Sequence, residues 1–187
     1  MRIRYQEPEF FHPKQQAIYD CDARNVLCIS ANKCGKTLLS ALLMNKNMLL
    51  LPSGSNGAWL APFARTAKIG YELICKIIRS TPVYKHLEDI KSPQRFKFNS
   101  SQLQITYPNG NRIDFLQGQN IDAIFGQKYH FCIIDEATRL KNEIVSIGDE
   151  TRVTCPAFDA LKTTTRTTNA RIVIISNPTT SSNFFYQ

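Results

Sequence analysis

The sequence contains no run of apolar residues long enough to cross a bilayer. Its richest stretch, Leu38 to Leu51, is interrupted by Asn45, Lys46 and Asn47, whereas a spanning helix needs about 20 consecutive apolar residues. No secretory leader is expected in it either, because Met1 to Phe11 carries Arg2, Arg4, Glu7 and Glu9 and offers no apolar core. Zinc-ligand spacing is also missing. Cys21, Cys28, Cys34, Cys75, Cys132 and Cys155 form no C-x-x-C pair and no zinc pattern with His12, His86 or His130. Cys28 and Cys132 lie inside apolar runs, where a free thiol behaves as a small hydrophobe, so reduced cysteines are expected. No internal repeat is visible. Membrane spans, zinc modules and disulfide scaffolds are thereby set aside.

What is present is an ordinary globular composition. The 187 residues are 43% hydrophobic and 20% charged, enough for one domain with a real core. Twenty-three Lys+Arg against fifteen Asp+Glu leave a formal charge of +8. That excess favours a polyanionic partner, nucleic acid foremost.

Short apolar runs alternate with amphipathic or turn-rich stretches. Asn25 to Ser30, Gly57 to Pro62, His130 to Ile134 and Arg171 to Ser176 read as strands, apolar on both faces as in a parallel sheet. Helices are expected after Lys36 and from about Thr66 to Arg79, where Ile69, Leu73, Ile74 and Ile77 follow helical spacing. Leu103 to Tyr107 and Arg112 to Leu116 flank Pro108-Asn109-Gly110-Asn111, and Asn-Gly is a strong hairpin signal. Thr163 to Thr168 reads as a helix end or loop. The alternation predicts an α/β domain: a central, mostly parallel sheet flanked by helices, plus a β-hairpin.

Ser30-Ala31-Asn32-Lys33-Cys34-Gly35-Lys36-Thr37 follows a predicted strand and opens a predicted helix. It matches G-x-x-x-x-G-K-[ST] except at its first position, where Ser30 replaces glycine. Such a loop turns backbone N–H groups and a helix N-terminus toward phosphate oxygens. Gly35 permits close backbone approach, Lys36 reaches the β/γ-phosphates and the Thr37 hydroxyl ligates Mg²⁺. Lys33 adds positive charge beside them. Downstream, the strand Phe131-Cys132-Ile133-Ile134 ends in Asp135-Glu136. It would deliver Asp135 to the sheet edge that carries the phosphate loop, to hold Mg²⁺. By strand alternation Glu136 would point away from Asp135 and activate the attacking water. Together the motifs specify a P-loop NTPase of the ASCE/RecA-like kind, with ATP and Mg²⁺ as cofactors. Ser176 and Asn177, ending the last strand, would lie near the γ-phosphate and sense hydrolysis.

On these residues the chain resembles the ATPase domain of the large terminase subunit of tailed bacteriophages, the motor that packages DNA into capsids. His12-Pro13-Lys14-Gln15 looks like the family's adenine-recognising segment (residues 10–20), which implies that Gln15, or Gln16, contacts the base. Trp59-Leu60-Ala61-Pro62, Asn109-Gly110-Asn111-Arg112-Ile113, Ile133-Ile134-Asp135-Glu136-Ala137 and Ser176-Asn177-Pro178 (coupling motif, 176–179) are similar to further family motifs. The resemblance implies an ATP-driven translocase of double-stranded DNA into a procapsid, acting in the host bacterial cytoplasm. Its partners would be a portal protein and a small terminase subunit. It would work as a homo-oligomeric ring, be monomeric and weakly active in isolation, and need no membrane. The single ATPase domain would fill residues 1–187, with the nuclease that such proteins carry lying outside this chain. Alternative readings are a helicase or translocase domain and a nucleotide-gated assembly module without turnover.

Members often carry Arg-Gly before the acidic strand as a trans-acting finger. Here Phe125-Gly126 stands there, leaving Lys128, Arg139, Arg152 or Arg166 as substitutes. DNA-contact candidates are Lys68, Lys76 and Arg79, and the stretch Lys85 to Lys97 with Lys91, Arg95, Phe96, Lys97 and Phe98. Salt-dependent binding with little base preference would be expected of such contacts.

Cys34 sits inside the phosphate loop, where a helix N-terminus lowers a thiol's pKa. Stoichiometric alkylation of Cys34 is expected to abolish nucleotide binding, as measured with a fluorescent ATP analogue; full binding by the labelled protein would refute this.

Overall fold

A computed structural model describes residues 12–147 and 150–178. The expectations for residues 10–11 and Thr179 therefore lie outside the described residues. In chain order the first elements are α1 (Pro13–Asp20), β1 (Asn25–Ile29), α2 (Lys36–Leu50), β2 (Asn56–Ala61), α3 (Ala64–Ser80) and α4 (Pro82–Asp89). They are followed by β3 (Lys97–Asn99), β4 (Gln104–Thr106), β5 (Arg112–Gln117) and β6 (Phe131–Ile134). A 3-10 turn (Ala137–Arg139), β7 (Glu143–Ile147), β8 (Glu150–Thr154), α5 (Pro156–Thr165) and β9 (Arg171–Ser176) complete the order.

The apolar runs become strands buried on both sides. The period of two sends Trp59 and Ala61 of β2, Phe131 and Ile133 of β6, and Val173 and Ile175 of β9 into one core. Ala58 and Leu60, Cys132 and Ile134, and Ile172 and Ile174 enter a second core on the opposite face. Leu39, Leu43, Met44 and Met48 of α2 and Ile74 and Ile78 of α3 fill the first. Ala160 and Leu161 of α5, with Ile124, Tyr129 and Leu140, fill the second. The sheet order is β1-β9-β6-β2-β5-β4-β3. The five strands from β1 to β5 in that order are parallel, and β4 and β3 are antiparallel. The parallel strands present all their C-terminal ends at one edge, and the candidate site lies there.

The Asn-Gly hairpin forms as expected. Gly110 takes φ +82, a value glycine adopts without a Cβ penalty. The Asn111 amide donates to the carbonyls of Met48 and Leu51, tying the turn to the end of α2. α4 and the β7–β8 hairpin are among the elements with no counterpart in the sequence expectations. α4 begins because Thr81 serves two helices: its hydroxyl donates to Ile78 O at the end of α3 and accepts from Tyr84 N. Pro82 then occupies the first helical position. The β7–β8 hairpin forms a separate two-stranded sheet. No described helix is long and apolar enough to cross a membrane.

α3 approaches the sheet closely at Gly70, where an added Cβ would stand 2.6 Å from the Trp59 ring. Alanine gains up to about 1 kcal/mol of helix propensity over glycine, but overpacking a filled core costs roughly 1–3 kcal/mol. Gly70→Ala is thus expected to lower the urea midpoint, with a net loss of about 1–2 kcal/mol. A midpoint equal to or above wild type would show that Trp59 has room to retreat.

Candidate nucleotide site

The phosphate loop leaves the end of β1, where Ser30 N donates to Ser176 O at 3.1 Å. Two residues of the loop are left-handed, Lys33 at φ +61 and Gly35 at φ +80. Alternation of this kind turns successive N–H groups toward a common concavity. Gly35 is the N-cap of the 15-residue α2 and offers no side-chain cap. The first-turn donors and the positive end of the helix dipole are therefore available to an anion. Loop residues 32–38 line a cavity of about 380 Å³ together with Asp135, Glu136, Ser176 and Asn177. Segments distant in sequence meet in that space.

Lys36 is the most heavily committed group in it. Its ammonium has three N–H donors, and they reach Ser30 O at 2.9 Å, Ala31 O at 2.6 Å and Asn177 Oδ1 at 2.8 Å. A phosphate oxygen that engages Lys36 must therefore replace one of these acceptors. Asn177 is the acceptor that lies outside the loop, so it can leave without unfolding it. Cys34 Sγ lies 2.9 Å from Ser30 Oγ and 3.5 Å from Lys36 Nζ. The Ser30 hydroxyl first, and then Lys36, hold this exposed thiol below its ordinary pKa against the opposing effect of partial burial.

The acidic pair departs from the expected geometry in one respect. β6 ends at Ile134, and Asp135 N still donates to Leu60 O at 2.8 Å. Glu136 is no longer on a strand: it is left-handed (φ +50, ψ +41) and opens the 3-10 turn. The orientation of Glu136 comes from that turn, not from strand alternation. Arg139, three residues on, places Nη1 3.1 Å from Glu136 Oε2. Asp135 is 4% exposed. Burial, and after it the charge of Glu136, push its carboxyl up to about 7, with Lys36 a minor opposing influence. A buried carboxyl and the Thr37 residue lining one cavity, at an uncapped helix start, make a donor set that fits Mg²⁺ bound to a polyphosphate.

Ser176 has a protein partner that the sequence did not disclose. Its Oγ accepts from Thr138 N at 3.0 Å and lies 2.6 Å from Thr138 Oγ1. It anchors the acidic turn to the end of β9 while still bordering the cavity.

Gln15 lies on the other side of the loop. Its Oε1 accepts from His12 N in a capping box, and its Nε2 donates to Cys34 O at 2.9 Å. Both ends of the amide are thus engaged within the chain. It borders a cavity of about 610 Å³ walled by Ile18, Leu27 and Leu39, which shares Cys34 and Lys36 with the phosphate cavity. Gln16 instead donates to Asp20 Oδ2 on the exposed face of α1, and it borders neither cavity.

Of the substitute finger residues, only Arg139 touches the acidic pair in the described contacts. Lys128 precedes β6 and its carbonyl accepts from Asn56 Nδ2, at the sheet edge opposite the site. Arg166 follows α5 and borders a different cavity, with Arg24 and Lys162. Arg152 lies on β8. Phe125 is exposed. Among the DNA candidates, Phe96 is buried and packs edge-on against Tyr107 at 5.3 Å, while Arg79 covers the Phe98 ring at 4.8 Å. These aromatics anchor β3 and the residue before it to the core, and the exposed cations Lys68 and Lys76 remain on the outer face of α3.

No protein-family model matches the sequence, and no curated protein matches it. Solved structures match by fold. The large terminase ATPase domain of Thermus phage P74-26 superposes with a TM-score of 0.69 at 18% identity, over 91% of this chain and 66% of that one. The large terminase of bacteriophage HK97 gives 0.72 at 17% identity, over 96% of this chain and 36% of that one. The large terminase of a thermophilic bacteriophage, solved in complex with ADP, gives 0.60 at 16% identity, over 94% of this chain and 41% of that one. The fold is that of phage large terminase ATPase domains, and this chain spans only part of the proteins it matches.

Asp135 makes stability depend on pH with a defined sign. Its pKa is raised in the folded chain from 3.8 to about 7, so the folded state prefers the neutral acid and the unfolded state binds fewer protons across that window. Stability then falls as pH rises from about 4 to about 7, and the penalty is complete above that. Asp135→Asn is expected to melt near wild type at the acid end and progressively above it up to about pH 7, in metal-free buffer. A pH-independent difference between the two melting curves would contradict the assignment.

Proposed function

We propose that the chain is the ATP-hydrolysing motor domain of a viral terminase large subunit, powering translocation of double-stranded DNA into a procapsid. The observation that carries this reading is the convergence of Lys36, Thr37, Asp135, Glu136 and Asn177 on one cavity at the C-terminal edge of a parallel sheet. The loop N–H groups and Lys36 would bind the β- and γ-phosphates of ATP, with the base in the neighbouring cavity beside Gln15. Thr37 and Asp135 would hold Mg²⁺, whose charge offsets that developing on the phosphate oxygens. Glu136 would take a proton from the attacking water. Asn177 would exchange its contact with Lys36 as phosphates arrive and leave, and so report occupancy to β9.

The fold likeness to phage terminases supports the remaining assignments. The ring would be homo-oligomeric and docked on a portal protein, with a small terminase subunit as a further partner. It would act in the host bacterial cytoplasm. An arginine contributed in trans adds a factor of about 10³ or more in P-loop enzymes, so the isolated domain would be weakly active and monomeric.

Phosphate release from MgATP, measured across protein concentration, tests this reading. Turnover should be slow, rise more than linearly with concentration and vanish in Glu136→Ala. Release that survives Glu136→Ala, or failure of the chain to bind MgATP, would overturn it.

A further inference from the structure

Glu136 caps the 3-10 turn and Arg139 ends it three residues on, which brings their side chains within reach of each other. Arg139 N closes the turn on Glu136 O at 2.8 Å, and its guanidinium then returns along the same side to Glu136 Oε2 at 3.1 Å. Behind it stands Phe63, the residue that precedes α3, with its ring centroid 5.8 Å from the Arg139 guanidinium carbon. That separation is within cation–π reach. From the opposite side, Thr138 N and Thr138 Oγ1 fix the turn to Ser176. The backbone and the carboxylate of Glu136 are thus held from two independent directions.

We infer that Arg139 is a positioning residue: braced on Phe63, it holds the Glu136 carboxylate at the rim of the phosphate cavity within the same chain. This rests on the reading of Glu136 as the group that activates water. The side chains of Arg139 and Glu136 are 62% and 31% exposed, and ion pairs so open to solvent add little to stability. The consequence of the contact is therefore orientation, which for a group acting on a bound water translates directly into rate. It also distinguishes Arg139 from a finger offered to a neighbour, since its guanidinium is already engaged by its own chain's carboxylate.

The test compares wild type, Arg139→Ala, Arg139→Lys and Glu136→Gln in MgATP hydrolysis, alongside thermal melting. Arg139→Ala is expected to lower kcat about tenfold with KM within about twofold and an unchanged melting temperature. Arg139→Lys should recover part of the loss, and Arg139→Ala should add nothing in a Glu136→Gln background. A readout independent of turnover is affinity for MgADP with aluminium fluoride, a mimic of the transferring phosphate. It should weaken by a similar factor in Arg139→Ala while MgADP affinity holds.

Wild-type kcat and wild-type fluoride-complex affinity in Arg139→Ala would overturn the positioning role, and so would a change confined to KM. Activity restored by mixing Arg139→Ala with Glu136→Gln would overturn it too, by showing that Arg139 acts on a neighbour. A wild-type chain that binds no MgATP would remove the nucleotide reading and this inference together. Hydrolysis by wild type with a neutral Arg139→Ala would remove this inference alone.

Discussion

Burial of β6 and β9 on both faces drives every polar group of those segments to the strand ends. Each strand has room for nothing but apolar side chains along its length, so Asp135, Ser176 and Asn177 become available only where the chain leaves the sheet. Parallel pairing of β1, β9 and β6 then brings those three exits to one edge. The loop, the acidic pair and the polar end of β9 are neighbours because two hydrophobic cores demand it. Had any one of these strands run antiparallel, its polar end would lie at the opposite edge.

At that edge the electrostatics are balanced by exchangeable contacts. Lys36 has its three donors occupied by two loop carbonyls and one amide oxygen, and a ligand oxygen enters by substitution. Asp135 is pushed up to about 7 by burial, and on the proposed reading a divalent cation there would compete with a proton. Lys36 is stabilised by these acceptors, and the Asp135 carboxyl escapes the charge penalty while it is protonated. An isolated buried carboxylate or an unpartnered ammonium would be far more expensive.

Much of this was legible in the sequence because the signals are local. The residues from Asn32 to Thr37 state a helix start with a glycine before it, the apolar run before Asp135 states a buried strand, and Asn109-Gly110 states a turn. Long-range contacts left no such trace. The partner of Ser176 is 38 residues away and that of Asn177 is 141 residues away, and neither Thr138 nor Lys36 announces them. Strand alternation failed for Glu136 because β6 stops at Ile134 and the backbone then turns left-handed. The aromatics at 96 and 98 alternate with cations like a nucleic-acid surface, yet Phe96 lies in the core. Sequence reports a side chain's type; packing decides whether it faces solvent.

Ser176 and Asn177 are adjacent at the end of β9, yet they serve opposite halves of the site. One grips the turn under Glu136 and the other grips Lys36. The two halves therefore share an anchor at the end of β9. If a phosphate draws Lys36 from Asn177 as proposed, any displacement of the strand end would reach the acidic turn as well, and by thermodynamic linkage that coupling would be equal in both directions. Two consecutive residues would then make the occupancy of one subsite a variable of the other.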